Sequence, residues 1–409
     1  MAHPQQSEQH REQQPTGFPR RTNPAALALA VLLILAAAPS HAQTWTTLHT
    51  FTGHADGAYP YAGLTMDRAG NFYGTATSGG NLNTCNGNGC GVVFKLEHKG
   101  SGWLYSVLYA FSGPDGSTPE ARVIFGRDGS LYGATNAGGA SGAGVVYRLQ
   151  PPSSFCKSVS CPWTQTVLYS FTGGSDGNGP TYGDLAFDQA GNIYGTTTAG
   201  GDTSCQDDYG CGVVYELSPA NGAWKQTVLY TFENGSDGAS PYAGVVLDRA
   251  GNLYGTNAYG VIYELSPSAG GWVETTIATL GSFLPGGLIF DAAGNLYGAS
   301  FVDPEVFELS PSGSGWTLKT LYSFNGVYEG SNAQVTMDAA GNLYGTILVG
   351  PPEVFRISQN GGRWAMTGFD GYTGSEPYGN VVLDASGNIY TTASFGGGFD
   401  RGAVFEITP

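Results

Sequence analysis

The sequence predicts an all-β protein that folds as a seven-bladed β-propeller, and three observations carry this prediction. An octamer of the form Asp-Arg-Ala-Gly-Asn-Leu-Tyr-Gly, found at residues 248–255, occurs seven times, and its glycine returns every 43 to 62 residues. Each copy lies in a unit of four short runs that are rich in β-branched and aromatic residues. Each unit also contains one tryptophan. Repeated four-stranded units of this length are typical of propeller blades.

The octamer itself predicts a tight corner between two strands. Its aspartate can accept hydrogen bonds from the backbone amides that follow, and its glycine tolerates a left-handed backbone. Calcium binding is the alternative for these carboxylates, but the dense carboxylate spacing of a calcium loop is missing. We therefore interpret the octamer as turn chemistry. The strong copies are residues 67–74, 188–195, 248–255, 291–298 and 338–345, and the weaker ones are 126–133 and 384–391.

The tryptophans and the two ends of the repeat region predict how the blades pack and how the ring closes. All seven tryptophans open the fourth run of a unit, where a large ring is expected to pack between neighbouring blades. The first such run, residues 45–51, precedes the first octamer, whereas the last unit ends with its third run, residues 404–407. Pairing of these two segments would complete the seventh blade and remove an exposed sheet edge. We therefore expect the N-terminal strand to close the propeller on the last blade.

The chain is expected to hold one folded domain behind a secretory signal peptide. Within residues 1–42, Arg20 and Arg21 precede an apolar run at residues 25–38, and small residues follow that run. The run is short for a membrane span, so we expect no membrane span once the signal is removed. Residues 43–409 show no linker and predict a single seven-bladed propeller domain. A secreted or periplasmic location follows from the signal.

The composition narrows the class of partner. The chain has 65 glycines in 409 residues, as expected of a fold with many turns, and its formal net charge is −16. Such a charge disfavours nucleic acid and anionic membranes as partners. The usual catalytic signatures, a phosphate-binding loop and a two-histidine metal helix are missing from the sequence. We therefore expect no cofactor and no bound metal.

Six cysteines form three pairs that are close in sequence. In an exported protein such pairs predict disulfides that staple loops. Zinc is the alternative, but the pairs fall in three different units and no histidine accompanies them. The predicted disulfides are Cys85–Cys90, Cys156–Cys161 and Cys205–Cys211.

The repeat unit as a whole resembles a known family. Its pattern runs from Leu-Tyr-Ser-Phe through Asp-Gly and Pro-Tyr-Ala-Gly to the octamer and then to Gly-Val-Val-Tyr-Glu-Leu, and residues 169–217 and 230–265 show it best. In this pattern the chain is similar to the GloVer tandem-repeat family of exported bacterial proteins, over nearly all of residues 44–409. The resemblance implies an exported repeat protein, and it implies no established activity and no catalytic residues.

One position per unit, which we call the central position, points to a candidate site. It lies four residues before each octamer, at the mouth of the innermost strand, and Gly63, Gly244 and Gly287 fill it in three units. Polar residues fill it in the others, and convergent polar groups in a concavity are typical of a binding site, whereas drift at solvated positions is the alternative. These polar residues are Arg122, Asp184, Gln334 and Asn380. Nearby tyrosines that could stack on a sugar or a cation, or simply pack, are Tyr61, Tyr182, Tyr242 and Tyr378.

The loops predict which face of the ring carries the site. Loops after the second strand are long in units one, two, three and seven, and they share a face with loops that carry an Asp-Gly signature. We call this face the loop-rich face and expect any ligand there. We interpret the acidic residues of the signature as turn residues. They are Asp56, Asp115, Asp176 and Asp237, with Glu329 and Glu376 in later units.

Together these features predict an exported propeller that serves as a non-catalytic ligand-binding or interaction module. Its partner would be a small molecule, a glycan or a protein on the loop-rich face, such as a carbohydrate or a cell-surface component, and we expect a monomer. Arg122 could hold a carboxylate or a sugar acid in a bidentate grip. One alternative is a carbohydrate-active hydrolase or lyase that uses Asp184, Asp207 and Asp208 with Arg122. Another is a structural surface protein without a small ligand.

Overall fold

A computed structural model shows seven four-stranded antiparallel sheets arranged as the blades of a β-propeller, so the predicted fold class is confirmed. Residues Gln43–Pro409 form one compact unit. The predicted signal peptide, residues 1–42, lies outside the described residues. Within the described part of the chain, no helix is long and apolar enough to cross a membrane. The structure describes residues 43–152, 162–205, 209–281, 286–301, 305–313, 315–324, 334–348, 353–369 and 374–409.

The first three blades follow directly after the N-terminal strand. Each begins with a strand of two residues near the ring axis, and three longer strands lie outside it. The chain opens with β1 (Thr44–Thr50), and blade 1 holds β2 (Thr65–Met66), β3 (Phe72–Ala76), β4 (Val92–Lys99) and β5 (Gly102–Ala110). Blade 2 holds β6 (Ile124–Phe125), β7 (Leu131–Thr135), β8 (Val145–Gln150) and β9 (Thr164–Ser170). Blade 3 holds β10 (Ala186–Phe187), β11 (Ile193–Thr197), β12 (Val213–Ala220) and β13 (Ala223–Thr231).

The remaining blades repeat this arrangement. Blade 4 holds β14 (Val246–Leu247), β15 (Leu253–Thr256), β16 (Val261–Ser268) and β17 (Gly271–Thr279). Blade 5 holds β18 (Ile289–Phe290), β19 (Leu296–Ala299), β20 (Glu305–Ser312) and β21 (Gly315–Ser323). Blade 6 holds β22 (Thr336–Met337), β23 (Leu343–Thr346), β24 (Val354–Asn360) and β25 (Arg363–Phe369). Blade 7 and its loops hold β26 (Gly374–Ser375), β27 (Val382–Leu383), β28 (Ile389–Ala393), β29 (Phe395–Gly396) and β30 (Ala403–Thr408).

The N-terminal strand closes the ring as predicted. The strand order in blade 7 is β27-β28-β30-β1, so β1 supplies the outermost strand. Trp45 pairs with Ile407 and Thr47 pairs with Phe405 in an antiparallel register. The first and last strands of the domain therefore share one sheet, and the edge of β30 is paired.

The octamer forms the predicted corner between the first and second strands of a blade. In the first copy, Asp67 Oδ1 accepts hydrogen bonds from the backbone amides of Ala69 (2.9 Å) and Asn71 (2.9 Å). Asp67 Oδ2 accepts bonds from the Asn71 side chain (2.8 Å) and the Tyr73 hydroxyl (3.1 Å). Gly70 has a φ of +80° with open space around it, so the left-handed backbone is what requires glycine. Equivalent bonds hold the corners at Asp188, Asp248, Asp291, Asp338 and Asp384.

The core lies between blades, and the tryptophans occupy the predicted places in it. Trp103 of blade 1 packs beside Tyr390 of blade 7, with 6.2 Å between ring centroids, and Trp316 of blade 5 packs 5.6 Å from Tyr254 of blade 4. Trp163 lies beside Tyr73 in the same way, and the remaining tryptophans pack against clusters that contain the octamer tyrosine of the preceding blade. Each tryptophan therefore fastens one blade to its neighbour, as expected of a large ring that recurs once per unit.

Two of the three predicted disulfides lie within the described residues, and both are formed. Cys85 is bonded to Cys90 and Cys205 to Cys211, with Cα atoms 5.3 Å and 5.5 Å apart. The third predicted pair, Cys156 and Cys161, lies outside the described residues. The first bond spans the short 3-10 helix Cys85–Gly87 in the loop between β3 and β4, and the second closes the loop between β11 and β12.

The long loops share one face with the loops that lead into the first strands, as predicted. The ribbon β26–β29 joins the two kinds of loop in blade 7. Isolated backbone bridges join them in blades 1 to 3, and these are Ala58–Ser78, Ser117–Ala137 and Asn178–Ala199.

Candidate ligand-binding site

All seven central positions line one cavity of about 230 Å³, which we call the axial cavity. Because every blade contributes to it, the cavity lies on the axis of the ring. The polar central residues line it together with the central glycines, and these polar residues are Arg122, Asp184, Gln334 and Asn380. The structure also places in its lining the four tyrosines singled out in the sequence, Tyr61, Tyr182, Tyr242 and Tyr378.

Threonines hold the backbone around the axial cavity. The Thr196 hydroxyl in blade 3 donates to the carbonyl of Ala243 in blade 4 (3.0 Å), and Thr392 in blade 7 donates to Ala62 in blade 1 (2.8 Å). Each acceptor directly precedes a central position, and each threonine directly follows an octamer. The repeat that forms the corners therefore also ties neighbouring blades together at the axis. The same bond joins three further pairs of blades through Thr75, Thr256 and Thr346.

The central glycines make room for their polar neighbours. A Cβ atom on Gly63 would overlap the side-chain oxygen of Asn380, and one on Gly244 would overlap the backbone carbonyl of Asp184. Neither glycine has the positive φ that would by itself require glycine, so close approach is the reason for it. A central glycine in one blade therefore accommodates the central polar residue of the preceding blade.

Arg122 and Asp184 form an ion pair between blades 2 and 3. Arg122 donates to Asp184 Oδ2 from Nε (2.9 Å) and Nη2 (2.6 Å), and its backbone amide donates to Oδ1 (3.1 Å). Nη2 also donates to Gln334 Oε1 on blade 6 (3.3 Å), and Gln334 Nε2 donates to the carbonyl of Leu288 (2.7 Å). We call these bonded side chains the axial septum. The bidentate grip that the sequence suggested for a ligand is thus already occupied by Asp184.

A second cavity adjoins the axial cavity. Arg122 and Asn380 line both the axial cavity and a second cavity between the corners of blades 1, 6 and 7. The side chains of Arg122 and Asp184 are 22% and 28% exposed, so water screens the ion pair only partly. The axial cavity lies on the side of the loop-rich face, because its tyrosines belong to the loops that lead into the first strands of the blades.

Four tyrosines form an arc on the wall of the axial cavity. The rings of Tyr182 and Tyr242 stack with centroids 4.8 Å apart, and the ring of Tyr61 lies 5.0 Å from Tyr378 and 6.4 Å from Tyr182. Each tyrosine precedes its central position by two residues. Burial raises the pKa of all four phenols, to about 12 at Tyr378, so the hydroxyls stay protonated at neutral pH. The arc therefore offers neutral ring surface to a ligand.

Glu120 interrupts this arc and lines the same cavity. It precedes its central residue by two positions, so it takes the place in blade 2 that tyrosine takes in blades 1 and 3. Its Oε2 atom is buried and has no hydrogen-bond partner. Burial raises the pKa of Glu120 to about 7, against the opposing effect of a hydrogen bond with Asn136. Sequence reasoning did not single out Glu120, although the break in the tyrosine series was a visible signal.

The four aspartates of the Asp-Gly signature are turn residues, as predicted. Glu376 differs from them, because it lies two residues before Tyr378 with a φ of 58° and so occupies the place of Thr118 and Ser240. Asp176 accepts hydrogen bonds from the Thr172 amide (2.8 Å) and the Tyr169 hydroxyl (2.9 Å). In the described ranges, no group of three or more His, Cys, Asp or Glu could hold a metal ion. Similar bonds engage Asp56, Asp115 and Asp237. Outside the described residues lie Glu329 and the proposed catalytic carboxylates Asp207 and Asp208.

The two disulfides lie next to the loops that carry residues of the axial cavity. The Cys90 carbonyl accepts a hydrogen bond from the amide of Thr118 (3.0 Å), and the Cys211 carbonyl accepts one from Ser240 (2.8 Å). Thr118 and Ser240 have φ values of 57° and 52°, a left-handed conformation that non-glycine residues keep only when the surroundings hold it. Thr118 leads to Glu120 in blade 2, and Ser240 leads to the tyrosine of the arc in blade 4. Each disulfide therefore supports backbone that carries a cavity residue.

A wider cavity of about 1400 Å³ opens on the opposite face, between the corners of blades 2 to 5. Its lining includes the apolar residues Phe125, Phe187, Phe290 and Trp316. All four aspartates in its lining belong to octamers, where the corner hydrogen bonds engage their oxygens. The sequence predicted only structural corners on this face, so this cavity is an addition. The axial cavity is the better candidate site because it combines apolar surface with a carboxylate oxygen that lacks a partner.

The closed ring, its repeats and the axial cavity define a seven-bladed β-propeller with one candidate binding site on its axis. The model of the Gloeobacter/Verrucomicrobia repeat matches residues 34–204 and 84–303, which is more than half of the chain. The chain therefore belongs to the Gloeobacter/Verrucomicrobia repeat family, and the resemblance seen in its repeat pattern is confirmed. No curated protein shows significant similarity to it.

Two solved structures illustrate its likeness to other folded chains. A Thermus thermophilus protein described as a candidate oxidoreductase (glucose dehydrogenase) is 15% identical, with a TM-score of 0.40, over 71% of this chain and 96% of that one. A chain of a nidogen/laminin complex is 18% identical, with a TM-score of 0.43, over 71% of this chain and 94% of that one. Likenesses of this degree say nothing about what this chain binds or catalyses.

Proposed function

We propose that this protein is an exported module that binds a ligand in the axial cavity without transforming it. The observation that carries this proposal is that Glu120 and the arc of four tyrosines line the same axial cavity. Rigid scaffolds that bring polar groups together in a concavity are typical of ligand sites. The ligand class is a small molecule, or the terminal group of a glycan or protein, because the cavity is only about 230 Å³.

Binding is favoured over catalysis by the state of the charged groups. Asp184 was a proposed catalytic carboxylate, but its two oxygens accept three hydrogen bonds from Arg122. Both carboxylate oxygens are therefore engaged by the wall of the cavity itself and are not directed at a ligand. Arg122 is engaged in turn by Asp184 and Gln334, so the ion pair forms part of the cavity wall and does not act on a ligand.

Export accords with the observed disulfides and with the signal-like residues 1–42. Disulfides persist in oxidising compartments, and Cys85–Cys90 and Cys205–Cys211 both lie at the rim of the proposed site. The axial cavity needs residues from one chain alone, so a monomer suffices for the proposed function. The secreted or periplasmic location and the monomeric state are parts of this proposal.

Fluorine NMR of fluorotyrosine-labelled protein tests the site. Tyrosine-to-phenylalanine variants assign the resonances of the arc, and the protein is then titrated with oligosaccharides, amines and short peptides. A ligand of the axial cavity should shift the resonances of Tyr61 and Tyr182, and Tyr182→Ala should weaken its binding about tenfold or more. Tyr322→Ala removes a ring from the outer strand of blade 5 and serves as the matched control. Ligands that bind tightly but shift only resonances outside the arc would place the site elsewhere.

A carbohydrate-active hydrolase or lyase is the second candidate, and one observation favours it. A glutamate with a pKa of about 7 is suited to act as a general acid at neutral pH. Under this hypothesis Glu120 would protonate a leaving group, and Glu120→Gln would keep substrate binding but lose turnover. Incubation with cell-wall and plant oligosaccharides, followed by mass spectrometry of the products, distinguishes the two. Intact oligosaccharides after long incubation argue against the hydrolase or lyase.

A further inference from the structure

We propose, on the basis of the binding function above, that the axial cavity takes a small methylated ammonium cation, held against the tyrosine arc with Glu120 as its counter-ion. Quaternary ammonium groups bind to the electron-rich faces of aromatic rings within about 6 Å, and a nearby carboxylate adds a full opposite charge. Tyr61 and Tyr182 flank Glu120 in the order of the blades. The carboxylate therefore lies in the middle of the arc.

The charges around the axial cavity favour a cation. Apart from tyrosines, the ionisable residues that line it in the described structure are Glu120, Arg122 and Asp184. Arg122 and Asp184 neutralise each other at 2.6 Å, which leaves the charge of Glu120 unbalanced. The unpartnered Oε2 of Glu120 makes this imbalance local to the cavity. An anionic ligand would meet this charge without a free counter-ion among the lining residues, so sugar acids are disfavoured.

A second carboxylate reinforces the negative potential at the rim. Glu376 lies close enough that its charge, after burial, is the next cause of the raised pKa of Tyr61 and Tyr378. It is held in a left-handed conformation with a φ of 58°, as are Thr118 and Ser240 at equivalent places. The arc thus has a carboxylate at its middle and another beside its blade 7 end.

The lining distinguishes a methylated ammonium from a primary one. A primary ammonium must replace three hydrogen bonds to water, and burial without such partners is costly. A quaternary ammonium has no N–H donor, is weakly hydrated and loses little when ring faces replace water. The four tyrosines of the arc supply the ring faces that a quaternary ammonium needs. Glu120 alone cannot supply the three hydrogen-bond acceptors that a primary ammonium needs.

The charge on Glu120 makes the binding depend on pH. Because its pKa is about 7, the carboxylate is mostly neutral at pH 6 and mostly ionised at pH 8. A cation stabilises the ionised form, so affinity should rise with pH across this window and binding should release a proton. Arg122, Asp184 and Glu376 also face this region. The first two are fixed in their ion pair, and Glu376 lies at the rim beside Tyr378.

Isothermal titration calorimetry with choline tests the proposal. The matched probe is 3,3-dimethylbutan-1-ol, which has the same shape without the charge. Choline should bind at least about tenfold more tightly than the alcohol at pH 8, and this preference should shrink at pH 6. Glu120→Gln should weaken choline about tenfold or more. Glu274→Gln, which removes a half-buried glutamate far from the cavity, should leave it unchanged.

A pair of changes at one arc residue separates ring contact from general damage. Tyr182→Phe keeps the ring face and should retain choline affinity within about threefold, whereas Tyr182→Leu should lose about tenfold. If Glu120→Gln folds poorly, fluorine NMR of the unaltered protein replaces it. Choline should then shift the resonances of Tyr61 and Tyr182. Equal affinity for choline and the alcohol overturns the proposal, as does choline binding that ignores both Glu120→Gln and Tyr182→Leu.

The same experiments separate this proposal from the binding function on which it rests. If neutral oligosaccharides shift the arc resonances and choline does not, the cation is wrong and the axial cavity remains the binding site. If choline and the oligosaccharides bind but leave the arc resonances unmoved, both the cation and the location of the site are wrong.

Discussion

Replacing Glu120 with glutamine should stabilise the folded protein near pH 8 and change its stability little near pH 4. Burial raises the pKa of Glu120 from 4.5 to about 7. A pKa shift of this size corresponds to a change of about 3 kcal/mol in the free energy of unfolding. The folded state holds the proton more tightly than the unfolded state does, so this stability is present below pH 4.5. It is lost as the pH rises through about 7, and glutamine carries no charge that could cause this loss.

Urea unfolding followed by tryptophan fluorescence measures the effect. The free energy of unfolding of the variant minus that of the parent should grow by about 2–3 kcal/mol between pH 4.5 and pH 8. Taking the difference cancels the titration of all other groups. Glu233→Gln removes an exposed carboxylate at the end of blade 3 and serves as the matched control. A constant difference for Glu120→Gln would refute the view that its carboxylate is buried without compensation.

Three further predictions follow from the septum, the ring closure and the cysteines. Arg122→Ala should lower the free energy of unfolding by about 1.5–3 kcal/mol, and by clearly less in an Asp184→Asn background, as urea unfolding of the four proteins would show. Equal losses in both backgrounds would mean that the pair is not coupled. Deleting residues 43–52 should expose the edge of β30 and broaden the melt or cause association, which calorimetry and ultracentrifugation detect. Mass spectrometry of an unreduced digest should find Cys156 linked to Cys161, and free thiols there would contradict this pairing.

The fold could be predicted from the sequence because every local signal recurs seven times. A single octamer would have been ambiguous, but repeated corners, strand runs and tryptophans can satisfy their packing only by stacking against neighbours. The closure was predictable for the same reason, because a surplus strand at one end and a deficit at the other leave one pairing that removes both edges. Register along β1 and β30 then follows from the alternation of buried residues such as Phe405 and Ile407.

The convergence of the central positions on one cavity was predictable from the sequence, but the contacts of their side chains were not. The central positions could be found because they break the repeat, and a repeat places equivalent residues at equivalent depth. The direction of a long side chain is not set by the repeat, and so the sequence did not reveal that Arg122 turns toward Asp184 and Gln334. Glu120 was missed because it fills a position where tyrosine was interpreted as packing. Its raised pKa depends on burial, which only the folded ring creates.

The geometry of the central positions also determines how many equivalent cavities one chain presents. Seven repeats laid out in a line would present seven equivalent sites, and a partner could engage several of them at once. In this ring all seven copies project onto one axis and line one cavity, so the proposed function gives each chain a single ligand there. Any gain in avidity toward a crowded surface must then come from several chains acting together. Conversely, a substitution at the central position of any blade changes the lining of the same cavity. Residues that lie far apart in the sequence can therefore each change the specificity of one proposed site.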